Sequence, residues 1–273
     1  MVFRNMNIQQ TIDNHHANLP EQKRFHFGVS SLGEKCERKL WMKFRWCLNE
    51  NFDGRILRLF RRGHMEELTI VQDLQDAGFK VSNYGDNQTK VDFGTHLSSE
   101  IDGIIEIEGE VLALECKTHS DKSFQKLKKE GVFKSKFMHW VQCNVYMYGL
   151  GCTKALYYAI NKNNDEIYTE IIELDPELAE RYIERGQRLA TQDELPLPIS
   201  DNPSWYECKF CNMYTFCHGK GEMINKSCRT CAYSTACEDG TWYCEKHLGE
   251  LDETTQLHGC DSYELHDHLI QDT

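Results

Sequence analysis

The chain has 273 residues, 40% hydrophobic and 27% charged, enough for one sizeable core with a small appendage. No run of about 18 apolar residues occurs, which excludes a transmembrane span, and Met1-Val2-Phe3-Arg4-Asn5 lacks the apolar stretch of a signal peptide. A cytoplasmic protein is expected, and there the 13 cysteines are poor candidates for disulfides.

The formal net charge of -12 argues at first sight against a nucleic-acid partner, but the charge is segregated. Ten acids and only Arg229 and Lys246 follow Ser227. Arg55, Arg58, Arg61 and Arg62 stand together with no acid between them, and a second basic run extends from Lys117 to Lys136. Either run by itself is more often a solvated helix face than a binding surface.

In chain order, residues 1–26 are polar and aperiodic and read as a loose arm. Leu32, Cys36, Leu40, Trp41 and Phe44 have helical spacing, predicting a helix from Ser30 to Cys47 with Ser30 or Ser31 as its cap. A second helix is predicted over 54–77, ended by Gly78. Strands are predicted at Thr89–Phe93, His96–Ile107 and Val111–Thr118, the last two joined as a hairpin through Glu108-Gly109-Glu110. Helices over 122–130 and 136–148, strands over 155–161 and 166–174, and a helix over 176–189 complete an α/β core with a mixed sheet. Pro196, Pro198 and Pro203 mark a stiff linker before the cysteine-rich end.

The hairpin carries the chemistry. Asp102 lies on one strand and Glu115-Cys116-Lys117 on the next. Glu115 and Lys117 are two apart and share a face, while Cys116 points the opposite way. Two carboxylates supply hard oxygen ligands for Mg²⁺ or Mn²⁺, and a lysine beside them can orient water or neutralise developing charge. A lone Glu-x-Lys is usually an ordinary strand edge. Here it ends the apolar run Val111-Leu112-Ala113-Leu114, where buried charge needs a reason.

Asp102, a twelve-residue gap, and Glu115-Cys116-Lys117, followed by Gln142-Cys143-Asn144-Val145-Tyr146, resemble the PD-(D/E)XK and Q-x-x-x-Y elements of RecB-like exonucleases, over roughly residues 28–220. Ile101 stands where the proline of the motif's name would be. The resemblance implies a restriction-endonuclease-like core, a mixed central sheet flanked by helices, and a deoxyribonuclease acting on DNA, most simply on single-stranded ends. It implies that His64, Asp102 and Glu115 hold metal with the Cys116 carbonyl, with Glu67 a weaker candidate. It also implies that Lys117 positions the water and that Gln142 and Tyr146 hold the substrate. A stand-alone nuclease without helicase motifs suggests a bacteriophage enzyme, hence the host cytoplasm, or a CRISPR-associated one.

Cys208-x₂-Cys211-x₅-Cys217, with Cys36 ahead of the core, resembles the [4Fe–4S] staple of CRISPR-adaptation nucleases; zinc is the alternative. Cys228-x₂-Cys231, Cys244 and Cys260 read as a zinc site, with Cys237, His247 and His258 as substitutes. The division expected is an arm over 1–27, a nuclease domain over 28–220 and an acidic zinc module over 221–273. That module is too poor in apolar residues to fold without metal, and its acids favour a protein partner over DNA. Rival readings are a non-catalytic nucleic-acid-binding protein and a protein-interaction module.

Overall fold

The structure, a computed structural model, describes residues 7–19, 23–49, 52–219 and 224–271. The N-terminal stretch used to exclude a signal peptide lies outside them. Within the expected loose arm, Ile8–Ala17 form a helix, α1, capped by the Asn7 side chain. It buries none of its own residues and lies along a longer helix, approaching so closely at Gly54 that a Cβ there would meet the Asp13 carbonyl at 2.0 Å.

The chain then forms β1 (Phe27–Gly28) and α2 (Glu37–Phe44). Neither Ser30 nor Ser31 caps α2; both sit in a 3₁₀ turn and Cys36 takes the cap position, so the expected helix is shorter at both ends. Next come α3 (Gly54–Asp76), β2 (Lys80–Ser82), β3 (Thr89–Asp92), β4 (Leu97–Ile101), β5 (Gly103–Ile107) and β6 (Glu110–His119). The single strand expected over 96–107 is in fact two. β4 pairs with β1 and β3 in a three-stranded sheet, whereas β5 pairs with β2 and β6 in another. The chain changes sheets at Asp102, which alternation cannot reveal because both halves keep an apolar face. The hairpin is present as expected: Ile107 faces Glu110 across Glu108 (φ 53°) and Gly109 (φ 83°), the left-handed pair a two-residue turn requires.

A crossover through α4 (Asp121–Ser135) and α5 (Phe137–Leu150) leads to β7 (Lys154–Asn161), parallel to β6; β8 (Ile167–Glu173) and α6 (Pro176–Thr191) follow. Helix α4 breaks at Gly131 (φ 73°), where the sequence pattern had the first helix ending. The main sheet has the order β2-β5-β6-β7-β8, with only β6 and β7 parallel. Its central strands are covered on both faces, as a parallel pair demands. Leu112, Leu114 and Cys116 join Ile70, Val71 and Leu74 of α3, whereas Ala113 and Tyr157 join Val141 and Val145 of α5. Each fully buried side chain of this size contributes roughly 1.5–3 kcal/mol.

A small antiparallel sheet, β9 (Ser234–Ala236), β10 (Trp242–Cys244) and β11 (Gly249–Glu250), forms in the C-terminal segment. Ala236, Trp242, Cys244 and Leu251 belong to the same apolar cluster as the main sheet. No helix among the described residues is long and apolar enough to cross a membrane.

Candidate active site

The change of sheet after β4 places Asp102 beside the C-terminal half of β6. Its Oδ2 accepts the Cys116 backbone N–H at 2.8 Å and lies 3.8 Å from Lys117 Nζ. Lys117 also forms a tight ion pair with Glu115 Oε1. The ammonium donates to the Cys116 carbonyl at 3.2 Å, so the carbonyl expected to face a cation faces the lysine here. Cys116 itself points away into the α3 cluster, as alternation requires.

Glu115 is 1% exposed. Its Oε2 accepts from Gln142 Nε2 at 3.1 Å, and its Oε1 is taken by the Lys117 ammonium. Gln142 also donates to Tyr146 Oη at 2.9 Å, and Tyr146 Oη meets Ser99 Oγ at 3.0 Å. Gln142 and Tyr146 are 4% and 2% exposed. Gln142 therefore holds Glu115 from behind and is itself held by Tyr146, and neither side chain presents an exposed surface.

Glu67 and His64 exchange the prominence expected of them. His64 is exposed, its side chain at 79%, and its Nδ1 lies 3.6 Å from Glu67 Oε1. Glu67 turns inward into the field of Asp102 and Lys117. Burial first, then the Asp102 charge, push its carboxyl up to about 7. Burial likewise pushes Glu115 up to about 8, against the pull of Lys117 and with the push of Asp102. Burial disfavours the Lys117 charge too, but Glu115 and Asp102 outweigh it and hold the proton well above the usual lysine range. Asp102 and Glu115 thus meet at one ammonium with Glu67 nearby, a group of carboxyl oxygens that could take a divalent cation as their protons are released.

A second polar group adjoins the first. Tyr157 Oη lies 2.9 Å from His119 Nε2 and 2.8 Å from His139 Nδ1, and the two imidazoles stack at 5.8 Å. Sequence reasoning missed it, although two signals were available. His119 continues the alternation Glu115, Lys117, and His139 shares a helix face with Gln142 and Tyr146.

Burial, above all, lowers His26, His96 and His119 to about 4 and His139 to about 3. Below pH 6.5 the unfolded chain takes up protons that these folded rings refuse, so stability falls as pH falls. Glu67 and Glu115 act oppositely: from about pH 8 down to 4.5 the folded state holds protons the unfolded state has lost. Above pH 6.5 only the acids act; below it four histidines outnumber two acids. Thermal melts of metal-replete protein with no added Mg²⁺ or Mn²⁺ should therefore show maximal stability near pH 6.5, declining on both sides. A Tm rising steadily from pH 5 to 8 would contradict these burials.

Two cysteine groups assemble elsewhere. Cys36, Cys208, Cys211 and Cys217 line one small cavity of about 30 Å³, with Lys39 beside them. The Met213 N–H lies 3.4 Å from Cys211 Sγ and Arg38 Nη1 4.0 Å from Cys217 Sγ, donors that suit thiolate sulfur. Cys228, Cys231, Cys244 and Cys260 line another cavity of about 210 Å³, together with His247 and His258 but not Cys237. Cys260 Sγ lies 3.5 Å from His247 Nε2. Burial first, then Cys231, Cys260 and Cys244, push the Cys228 thiol up to about 11. Both donor sets fit a thiophilic metal. Among the described residues, however, no three His, Cys, Asp or Glu side chains are already drawn in to coordination distance of one point.

No protein-family profile matches the sequence, and no curated protein matches it. Among solved structures, SSO0001 is 16% identical with a TM-score of 0.44, the match covering 78% of this chain and 95% of that one. The alkaline exonuclease LHK-Exo from Laribacter hongkongensis is 13% identical with a TM-score of 0.43, covering 66% and 90%. A phage-related exonuclease from Haemophilus somnus is 18% identical with a TM-score of 0.33, covering 46% and 65%.

Proposed function

We propose that the chain is a PD-(D/E)XK deoxyribonuclease that hydrolyses phosphodiester bonds with Mg²⁺ or Mn²⁺, acting from single-stranded ends. One observation carries this reading: Asp102 and Glu115 meet at a single Lys117 at the end of the central strand, with Glu67 of α3 near enough to feel the Asp102 charge. Asp102 and Glu115 would hold the cation, with Glu67 or His64 completing the set from α3. The bound cation would polarise the phosphate and lower the pKa of a water. Lys117, freed from Glu115, is positioned to orient that water and to neutralise charge developing on the phosphate. Gln142 and Tyr146 keep the Glu115 carboxylate aimed, so that little reorganisation is needed during reaction. The test is digestion of end-labelled single- and double-stranded DNA and of circles, with Mn²⁺, Mg²⁺ or EDTA. Loss of label from linear single strands with either metal, and none in EDTA, is expected; no cleavage with either metal overturns the reading.

The two cysteine groups would be structural. Cys36, Cys208, Cys211 and Cys217 would hold a [4Fe–4S] cluster that joins the two ends of the core, and Cys228, Cys231, Cys244 and Cys260 would hold zinc. Protein purified without oxygen should be brown, absorbing broadly near ~400 nm, and should carry one zinc per chain. Cys208→Ser should remove the colour and leave the zinc. A colourless protein with two zincs per chain would put zinc in the first cavity as well. The tail's acids support a protein partner there, and the segregated basic residues support DNA at the body.

A further inference from the structure

Helix α3 carries one stripe at helical spacing, Ile56, Phe60, Gly63, Glu67, Ile70, Val71 and Leu74. Its C-terminal half is buried on the sheet, but no residue from Arg55 to Thr69 is buried. The same face therefore overhangs beyond the sheet, at the end where the site lies: Glu67 reaches the field of Asp102, and Arg62 Nη2 lies 3.5 Å from the Lys162 carbonyl just past β7.

Three features of the overhang call for a ligand. Phe60 is 48% exposed on a face that is otherwise core-like, its ring steadied edge-to-face by Phe52 at 5.0 Å. Gly63 costs the helix roughly 1 kcal/mol relative to alanine, yet a Cβ there would meet nothing within 4 Å. No neighbour among the described residues requires it, whereas close approach of an outside group would. Finally, Arg58 is committed to Asp13, but Arg55, Arg61 and Arg62 are exposed, a local cationic surface on a chain of net charge -12.

Resting on the nuclease reading, we propose that this overhang seats one unpaired nucleic-acid strand on its way to the site. A base stacks on Phe60, the backbone passes close over Gly63, and Arg62 and Arg61 take the phosphates. Aromatic faces with interleaved arginines bind single strands with little sequence preference.

The test uses the full chain in Ca²⁺ in place of Mg²⁺, with fluorescence anisotropy on a labelled oligothymidylate of about 20 nucleotides, longer than one stacking site needs. A fully abasic strand of the same length is the comparison. Phe60→Ala should weaken oligothymidylate binding roughly 10- to 100-fold and leave abasic binding unchanged. Arg62→Ala should weaken both strands and lower the salt slope by about 0.7. Gly63→Phe should block both strands while the Tm stays at or above wild type. The seat is overturned if wild type binds neither strand, if Phe60→Ala weakens both strands equally, or if Phe60→Ala and Gly63→Phe bind like wild type. An acidic peptide that competes with the strand only in wild type, with oligothymidylate affinity unchanged in Phe60→Ala, would assign the face to a protein instead. Cleavage in Mn²⁺ separates the two claims. Wild type that binds through Phe60 but never cuts keeps the seat and removes the nuclease; wild type that cuts, with variants binding normally, does the reverse.

Discussion

Glu115→Ala is expected to reduce cleavage by at least about 10³-fold while DNA affinity measured in Ca²⁺ changes little, because it removes the proposed cation ligand and the partner of Lys117 together. Lys117→Ala should show a loss of similar size for a different reason: the cation can still bind, but the water and the developing charge have no ammonium beside them. The two variants are separable by metal-dependent stabilisation. Mg²⁺ should raise the Tm of wild type and of Lys117→Ala, and more at pH 8 than at pH 5, since a carboxyl held up near 8 must release its proton to take a cation. It should leave Glu115→Ala almost unmoved. Cleavage retained by either variant at a tenth of wild type or more would move the chemistry elsewhere.

The second large effect is on stability, and it comes from Arg229, between Cys228 and Cys231. Its guanidinium is 1% exposed, 3.9 Å from the centre of the Trp46 ring and 4.9 Å from those of Phe44 and Trp242. Its nitrogens donate to Gln256 Oε1 at 2.9 and 2.8 Å, to the Phe44 carbonyl at 3.0 Å and to the Phe25 carbonyl at 2.7 Å. Arg229→Ala leaves three acceptors unsatisfied and an aromatic box empty, a loss of about 3–5 kcal/mol. At roughly 2–4 °C per kcal/mol, the Tm should fall by about 10 °C. Arg229→Lys should recover less than half of this, because an ammonium cannot fill the planar slot or make the paired contact to Gln256. A shift under about 3 °C in Arg229→Ala, by calorimetry on metal-loaded protein, would show the box to be unimportant.

What could be read from the sequence was whatever depends on local period. Alternation placed Glu115 and Lys117 on one face and Cys116 on the other, and the fourfold step from Gln142 to Tyr146 brought both to one side of α5. Spacing grouped the cysteines as the two cavities group them. The failures share a physical cause, which is that partners distant in the chain decide the outcome. Helix α1 is polar because it lies on another exposed helix rather than on the core. The strand over 96–107 divides because two sheets compete for it. His64 and Glu67 lie one turn apart, but it is Glu67 that falls in line with the buried Ile70, Val71 and Leu74, a signal helical spacing already held. Arg229 looks like a solvated knuckle residue until Phe25, Phe44 and Trp46 are seen around it.

That box has a consequence for the order in which the polypeptide is made. The acceptor carbonyl of Phe44 precedes Arg229 by 185 residues, so a nascent chain emerging from the ribosome exposes Phe44 and Trp46 long before their guanidinium exists. That pocket therefore stays unfilled until nearly the last stretch is translated. Premature termination near residue 220 would thus yield a fragment with an open aromatic pocket.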